Sequence, residues 1–553
     1  MKKIIRLLLG LVLLLSLYSV AVAASPETYA DLKPEHWAYG EITVCTENGI
    51  FKGYPDGSFR PEETMTRADA EAAVTRQFES ANLTGIWNDG EMGESITREE
   101  AAYLISKANG YENTDAFELE KFSDKAEVSE NYKAELSAAV SAGIVFGHSD
   151  KTLRPNEALT RSEFAVMLYR AVYGEEILAE RRAKAIEYMN NSTTLLWTPT
   201  EDITLVMKSN VTPEEADDNT AFVYRAGRIY HGVPYSYAGG TANGFLDYAV
   251  EVDENGVYRV DGLTWENISG ENGVGRVGND CSSTLLQAWG QLGETFTATT
   301  TGYLTEKHGC IPVGDYKTAY ENYGDDTGNI IEENGEQAIF RAYSLMKPAD
   351  AVVRRKSGSG HCIMVTDVET VYLSDGTIDG TNSKVTVLEQ TASSFKKERT
   401  YFDEKLGCDV YKVGIGATYS FASLLRNKYV PITCKALRDP SLIAEPVVTD
   451  TETVFNKGTV LKGTLACNWM MDSITLDIAD ERGNNVQSAT AYVSRKTGQY
   501  MSFDMQEFVT AKPVLVRGSV DMESLETGKY SCEVTVRLVT GQKITVRDFE
   551  FEV

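Results

Sequence analysis

The chain has 553 residues, a formal net charge of −28 and 42% hydrophobic residues, enough to build three or four separate cores. Such an acidic surface argues against nucleic acid or anionic lipid held by bulk electrostatics. Eight cysteines in this length are too few for a disulfide scaffold.

Lys2, Lys3 and Arg6 precede the apolar run Leu7–Leu17, and Ala21-Val22-Ala23-Ala24 offers a small-residue cleavage site. This predicts a secretory signal peptide over 1–24. The run is short for a permanent membrane span, and the acidic C-terminus carries no hydrophobic anchor. The chain is therefore expected outside the cell.

Residues 28–79 and 121–172 form an internal repeat. Gly53-Tyr54-Pro55-Asp56-Gly57-Ser58-Phe59-Arg60-Pro61 parallels Gly147-His148-Ser149-Asp150-Lys151-Thr152-Leu153-Arg154-Pro155. Each copy closes on a helix start with a Thr-x-x-acid cap, Thr66-Arg67-Ala68-Asp69 and Thr160-Arg161-Ser162-Glu163. Thr97-Arg98-Glu99-Glu100 opens a third, shortened copy over 80–112. His36 and Trp37 are expected in the core or on a groove wall. The pattern resembles a triplet of S-layer homology repeats, an α-helical domain that holds exported proteins on Gram-positive walls through secondary cell-wall polysaccharide. The resemblance implies that Arg67, Arg98 and Arg161 grip anionic groups of that polymer. Helix N-termini suit the role, because backbone N–H groups there add to an anion site. The competing reading pairs each Arg with the acids of its own helix.

Residues 173–215 read as a connector, with a charged helix from Glu175 to Met189 broken by Asn190-Asn191-Ser192-Thr193-Thr194. A helix is expected over Asn219–Tyr230. Tyr235-Ser236-Tyr237-Ala238-Gly239-Gly240 follows, and Tyr248–Val260 holds two alternating runs around Asn255-Gly256, a β-hairpin. Asp280-Cys281-Ser282-Ser283 then puts an N-cap and a cysteine on the first turn of an amphipathic helix. The helix dipole there favours thiolate. Downstream, Lys347-Pro348-Ala349-Asp350 leads into Gly360-His361 before an apolar strand, and Val385–Leu388 ends in Glu389-Gln390. Nucleophile, base and polar orienter in that order suit thiol acyl transfer. His231 and His308 are the rivals to His361. Alternation puts Glu389 and Gln390 on opposite faces, so only one of them can meet the imidazole.

Residues 216–437 resemble NlpC-type papain-like cysteine peptidases and the related CHAP amidases of bacterial cell walls. The resemblance rests on Tyr235, Gly239, Gly240, Asp280, Cys281, Ser282, Gly360 and His361. It implies Cys281 as nucleophile, His361 as base and Tyr235 near the oxyanion or substrate. The Glu that CHAP enzymes carry on the corresponding strand favours Glu389 over Gln390. No cofactor or metal is implied, and the substrate would be peptidoglycan stem peptides. Two departures stand out: the extra segment within 241–278 and a third residue that is not the usual His. They support the other reading, a wall-bound structural or adhesive protein whose domain has lost activity.

Residues 438–457 are expected as a linker and 458–553 as an accessory or spacing module. In the latter Ile474, Leu476 and Ile478 share one strand face, as do Phe549, Phe551 and Val553. Tyr530 lies two residues before Cys532, as in immunoglobulin-like folds, and Cys467 is a possible disulfide partner. The expected architecture is thus multidomain: α-helical repeats, an α+β papain-like domain and a C-terminal all-β immunoglobulin-like sandwich. The expected location is the Gram-positive wall or S-layer.

Overall fold

The computed structural model describes residues 29–553 apart from 79–80, 82, 84, 112–116, 207–220, 236–239, 264–277, 297–308, 319–325, 357–358, 392–399, 413, 451–453, 457–459, 493–499 and 505–515. The signal segment 1–24, Tyr237, Gly239, His308 and much of the 241–278 insertion therefore lie outside the described residues. The chain divides into two compact units, Met1–Ile177 with Asp439–Leu442, and Leu178–Arg438 with Ile443–Val553.

In the first unit the repeats place α1 (Tyr39–Glu47), α2 (Arg67–Gln77), α3 (Arg98–Asn109), α4 (Lys133–Ser141) and the start of α5 (Arg161–Thr194). Much of the described part of the unit lies outside these helices, so it is less helical than its sequence suggested. The loops between the helices are built alike in the two full copies. The Asp31 carboxylate accepts the N–H groups of Phe59 and Arg60 at 2.8 and 2.7 Å, and Asp124 accepts those of Leu153 and Arg154 at the same distances. These bonds hold Arg60 and Arg154 at φ 59° and 54°, a left-handed backbone that non-glycine residues rarely adopt. A Cβ on Gly53 would lie 2.1 Å from the Tyr29 ring, and one on Gly147 would lie 2.2 Å from Phe122. Glycine is required at both places. Met65, Ile96 and Leu159, each one residue ahead of a capping Thr, are buried in a common core. Trp37 is 60% exposed, so it belongs to the surface and not to that core. Asp439–Leu442 belongs to this unit too: the Leu442 N–H donates to Glu41 at 3.1 Å.

The start of the second unit corrects two expectations. Helix α5 runs unbroken through Asn190–Thr194, because Ala185, Met189 and Thr193 are buried and outweigh the poor helix propensity of that stretch. Asn219–Tyr230 is not a helix. Its described part holds β3 (Ala221–Tyr224), paired with β2 (Ile203–Val206), and the start of β4 (Ile229–His231), beside β1 (Leu196–Pro199). Tyr224, Tyr230, Trp197 and Phe245 interlock there with ring centroids about 5 Å apart. After the short helix α6 (Ala242–Leu246), β5 (Ala249–Val252) and β6 (Tyr258–Val260) pair antiparallel as the expected hairpin.

Beyond them come α7 (Cys281–Gly290), β7 (Cys310–Pro312), α8 (Thr327–Asn334), α9 (Glu336–Ser344), β8 (Ala351–Lys356), β9 (Ser359–Glu369) and β10 (Lys384–Gln390). The run closes with β11 (Thr400–Asp403), β12 (Cys408–Lys412), β13 (Gly414–Ser420), α10 (Phe421–Arg426) and β14 (Val430–Cys434). One six-stranded sheet has the order β11-β12-β4-β1-β6-β5; a second, β13-β10-β9-β8-β14-β7, carries the candidate site. Strand β14 of this sheet is buried throughout and apolar except at Thr433, whose hydroxyl donates to Asp350 at 2.6 Å. Asp350, fully buried, also takes Arg182 at 3.3 Å and Arg438 at 3.1 Å.

The expected linker is not free of structure. Val448–Asp450 (β15) and Val454–Asn456 (β16) join β17 (Val460–Cys467) in one sheet, with β20 (Tyr500–Asp504) on β17; β18 (Met471–Asp480) and β19 (Asn485–Tyr492) precede β20 in the chain. The last sheet adds β21 (Val516–Ser519), β22 (Lys529–Leu538) and β23 (Lys543–Glu552) in the order β21-β19-β18-β22-β23. Leu465 and Cys467 from one sheet and Ile474, Leu476, Ile478, Val534 and Val536 from the other share a core. Phe551 lines that core, whereas Val553 is exposed. Tyr530 donates its hydroxyl to the Glu526 carbonyl at 2.9 Å, a corner that needs no disulfide. Cys467 and Cys532 are both free thiols.

Candidate functional site

Helix α7 starts as its sequence dictates. The Asp280 carboxylate accepts the Ser283 N–H at 2.8 Å, and the Ser283 hydroxyl accepts the Asp280 N–H at 2.8 Å, a reciprocal cap. Cys281 is thereby fixed as the first helical residue, and its N–H lies outside the helix's own hydrogen-bond ladder. The thiol is buried against the core.

His361 stands near the start of β9, and Glu389 stands at the end of the neighbouring β10. The register Val387↔Val365 and Leu388↔Met364, continued one step, sets Glu389 opposite Ile363. His361 is two residues further on the same face, within diagonal reach. His361 Nε2 and Glu389 Oε2 are 2.7 Å apart, and Tyr419 from β13 donates to Glu389 Oε1 at 3.1 Å. With Nε2 on the carboxylate, Nδ1 is the nitrogen left to serve Cys281. Gln390 points the other way. Its amide donates to the Val233 carbonyl at 2.7 Å and to Asn279 Oδ1 at 2.9 Å. It therefore fastens the segment before Tyr235 to the residue before Asp280.

The two titrating groups pull on each other. A hydrogen bond from the Cys362 thiol is the largest influence holding Cys281 well below the ordinary thiol range; burial opposes it, and the bond and charge of His361 add to it. Burial alone would lower the His361 imidazole, but its hydrogen bonds to Cys281 and Glu389 outweigh that and bring it up to about 9. Both shifts favour the thiolate–imidazolium pair. Cys362 follows His361 directly in the sequence, but nothing in a strand residue's identity marks it as a thiolate's partner.

Tyr235 arrives beside the site through its backbone, bridging to Asn279. Its ring is buried with Trp197, Tyr224 and Tyr248. Gln287 of α7 donates to the Gly240 carbonyl at 2.7 Å, and Tyr188 donates to Gln287 at 2.8 Å. The next residue, Thr241, donates to the fully buried Asp472 of β18. Arg537 of β22 then joins Asp472, at 2.5 Å, to Asp247, at 2.7 Å through both terminal nitrogens. Gln291 and Asn243 both reach the Val539 carbonyl, at 2.9 and 3.0 Å. Residues 458–553 are thus bonded to the segments around Cys281. His231, the rival base, lies in β4 and packs edge-on to Tyr401.

The three repeat arginines turn out to knit the repeats together. Arg67 pairs with Glu94 at 2.6 Å and with the next copy's capping acid, Glu100, at 2.6 Å; Arg98 pairs with Glu163 at 3.1 Å. The partners thus come largely from the following copy, not from each arginine's own helix. In the same rotation Arg161 would meet Asp69, which is one methylene shorter and accepts from Thr66 at 3.0 Å. Arg161 instead donates to the Phe59 and Lys52 carbonyls at 2.8 and 2.9 Å, among the rings of Phe51, Tyr54 and Phe59. The helix N-termini are not open anion sites. Arg67 and Ala68 donate their N–H groups to Glu94 and Met92, Arg98 and Glu99 to Glu157 and Pro155, and Arg161 and Ser162 to Glu63 and Pro61. Each repeat's first turn is closed by its neighbour.

The S-layer homology domain family matches residues 28–71 and 121–165. Cell surface glycoprotein 1 of Acetivibrio thermocellus is 32% identical over 152 residues, 28% of this chain and 5% of that protein. The cellulosome-anchoring protein of the same organism is 26% identical over 145 residues, 26% of each chain. S-layer protein EA1 of Bacillus anthracis is 24% identical over 245 residues, 37% of this chain and 28% of that one. The chain thus spans about a quarter or less of the length of the first two relatives. Among the described residues no helix is long and apolar enough to cross a membrane. The chain carries S-layer homology repeats and is a protein of the cell surface, attached to the wall or its S-layer.

Proposed function

We propose that the chain is a wall-attached cysteine hydrolase that cuts peptide or amide bonds of peptidoglycan stem peptides, with an NlpC-type or CHAP-like papain-like domain around Cys281. The observation that supports it is the continuous chain Cys281–His361–Glu389–Tyr419, ending in a lowered thiol and a raised imidazole. The Cys281 thiolate attacks the carbonyl carbon, and the Cys281 N–H faces the developing oxyanion. The His361 imidazolium gives its proton to the departing amine, leaving an acyl-enzyme. Water then releases the acyl group with His361 as base. Incubating the full chain with purified peptidoglycan and weighing the products by mass spectrometry tests this. New amine and carboxyl termini that vanish after thiol alkylation support it, and intact stem peptides under reducing conditions overturn it.

A second reading, a surface protein of structural or adhesive role, is supported by these three relatives, which are named as cell-surface, anchoring and S-layer proteins. Loss of all hydrolysis with full wall retention would establish it.

Glu389→Gln separates an orienting carboxylate from a bystander. Removing the charge takes away one of the groups that raise His361, so the imidazolium loses its proton at lower pH. The alkaline limb of the pH–rate profile should move down from about 9, and kcat should fall by roughly 10–100-fold. Gln390→Ala leaves that limb in place. An unmoved limb in Glu389→Gln would remove the carboxylate from the mechanism.

By the same reading the repeats bind secondary cell-wall polysaccharide. Residues 25–177 fused to a reporter should sediment with purified walls and stay in solution with walls stripped of anionic polymer. Arg67→Ala with Arg161→Ala should weaken retention more than Arg98→Ala. Circular dichroism must accompany the assay, because these side chains also tie the repeats to each other. Equal binding to stripped walls excludes the polymer.

A further inference from the structure

Strand β7 is the three-residue edge of the sheet that holds the candidate site, and β14 is its partner. Their antiparallel register is Ile432↔Pro312, Thr433↔Ile311 and Cys434↔Cys310. Two buried free thiols, from positions 124 residues apart in the chain, thus stand directly opposite each other. Directly opposed residues point to the same face.

The hydrogen bonds fix which kind of pair this is. Val313 donates its N–H to the Pro431 carbonyl at 3.1 Å, so 313 and 431 form a hydrogen-bonded pair. Pairs alternate along an antiparallel ladder, which makes 311 with 433 the next hydrogen-bonded pair and 310 with 434 a non-hydrogen-bonded one. In such a pair the Cα atoms approach to about 4.5 Å and the side chains lie closest. That distance falls inside the roughly 4.4–6.8 Å window that a disulfide spans. Cys310 also acts electrostatically on Cys434.

We infer that Cys310 and Cys434 form a cross-strand disulfide in the exported protein. The bond pins the sheet's edge strand outside the cell, where no cytosolic reductant acts on it. The oxidant is a low-molecular-weight disulfide. The Cys310 thiolate attacks it, expelling one small thiolate; the Cys434 thiolate then attacks the Cys310 sulfur and expels the second. Two protein thiols and one small disulfide become one protein disulfide and two small thiols, which carry off both protons. Burial pushes the Cys310 thiol up to about 12 and Cys434 well above its ordinary range. Thiolate is therefore scarce in the closed sheet, and the bond forms as the edge strand docks during folding.

The test refolds the full chain from denaturant in a glutathione redox buffer or in excess dithiothreitol, then alkylates and maps peptides without reduction. After redox refolding, a peptide pair joining 310 and 434, two hydrogens lighter than the sum of its parts, is expected, and both cysteines escape alkylation. The oxidised protein should melt roughly 5–10 °C higher than the reduced one. Cys434→Ser and Cys310→Ser should each abolish the pair and the shift. Alkyl label on both cysteines after redox refolding, or a pair joining either to Cys362, overturns the assignment. Because the readout is mass alone, it stands or falls independently of any hydrolytic activity.

Discussion

Cys281→Ser is expected to lower peptidoglycan turnover by at least about a thousandfold while leaving the melting temperature nearly unchanged. Serine is close to isosteric with cysteine, so the Asp280–Ser283 cap and the packing of α7 survive. What disappears is the acidic thiol. A serine hydroxyl cannot be ionised by a hydrogen bond from Cys362 and the charge of His361, so no resting anion faces the substrate carbonyl. Alkylation gives an independent readout. Burial pushes Cys45 and Cys532 up to about 12, while Cys281 is lowered, so iodoacetamide at neutral pH should reach Cys281 first. Half-exposed Cys408 is the comparison. If peptide mapping finds Cys408 labelled before Cys281, burial of the nucleophile outweighs its activation. Serine turnover equal to that of the parent ends the thiol mechanism outright.

Arg537→Ala should cost about 3–5 kcal/mol of stability, the toll of leaving a buried carboxylate without its cation. Arg537 is itself mostly buried and stands between Asp472 and Asp247. Burial raises the Asp472 pKa and the arginine counters it, so removing Arg537 pushes this carboxyl further toward its neutral form. The damage should reach the candidate site by a traceable route. Asp472 holds Thr241, which caps α6, and the adjoining Gly240 carbonyl is held by Gln287 on the Cys281 helix. Urea denaturation should show the loss, and the folded fraction should turn over substrate about tenfold more slowly. Arg537→Lys should recover only part of the stability, since a single ammonium cannot serve both oxygens of Asp247. Unchanged urea midpoints would make the network a surface ornament, against its burial.

The sequence by itself determined what a few neighbouring residues can settle. Thr66, Thr97, Thr160 and Asp280 cap the helices that their spacing announced, because a side-chain cap reaches only three residues ahead. The 248–260 hairpin followed from its turn residues and alternation in the same way. Alternation along β10 established that one of Glu389 and Gln390 faces the imidazole, and family analogy leaned to Glu389. The choice itself rested on the register against β9, which no residue of β10 encodes alone. Residues 221–224 form a strand because 203–206 lies across from them, and Asn190–Thr194 stays helical because its buried face finds a core. Arg67 meets Glu100 and Arg537 meets Asp247 only once distant segments have docked. Caps and turns are one-segment interactions and are written in order along the chain. Strand pairing, buried ion pairs and the environment that sets a pKa depend on partners tens to hundreds of residues away, and those only the tertiary structure brings together.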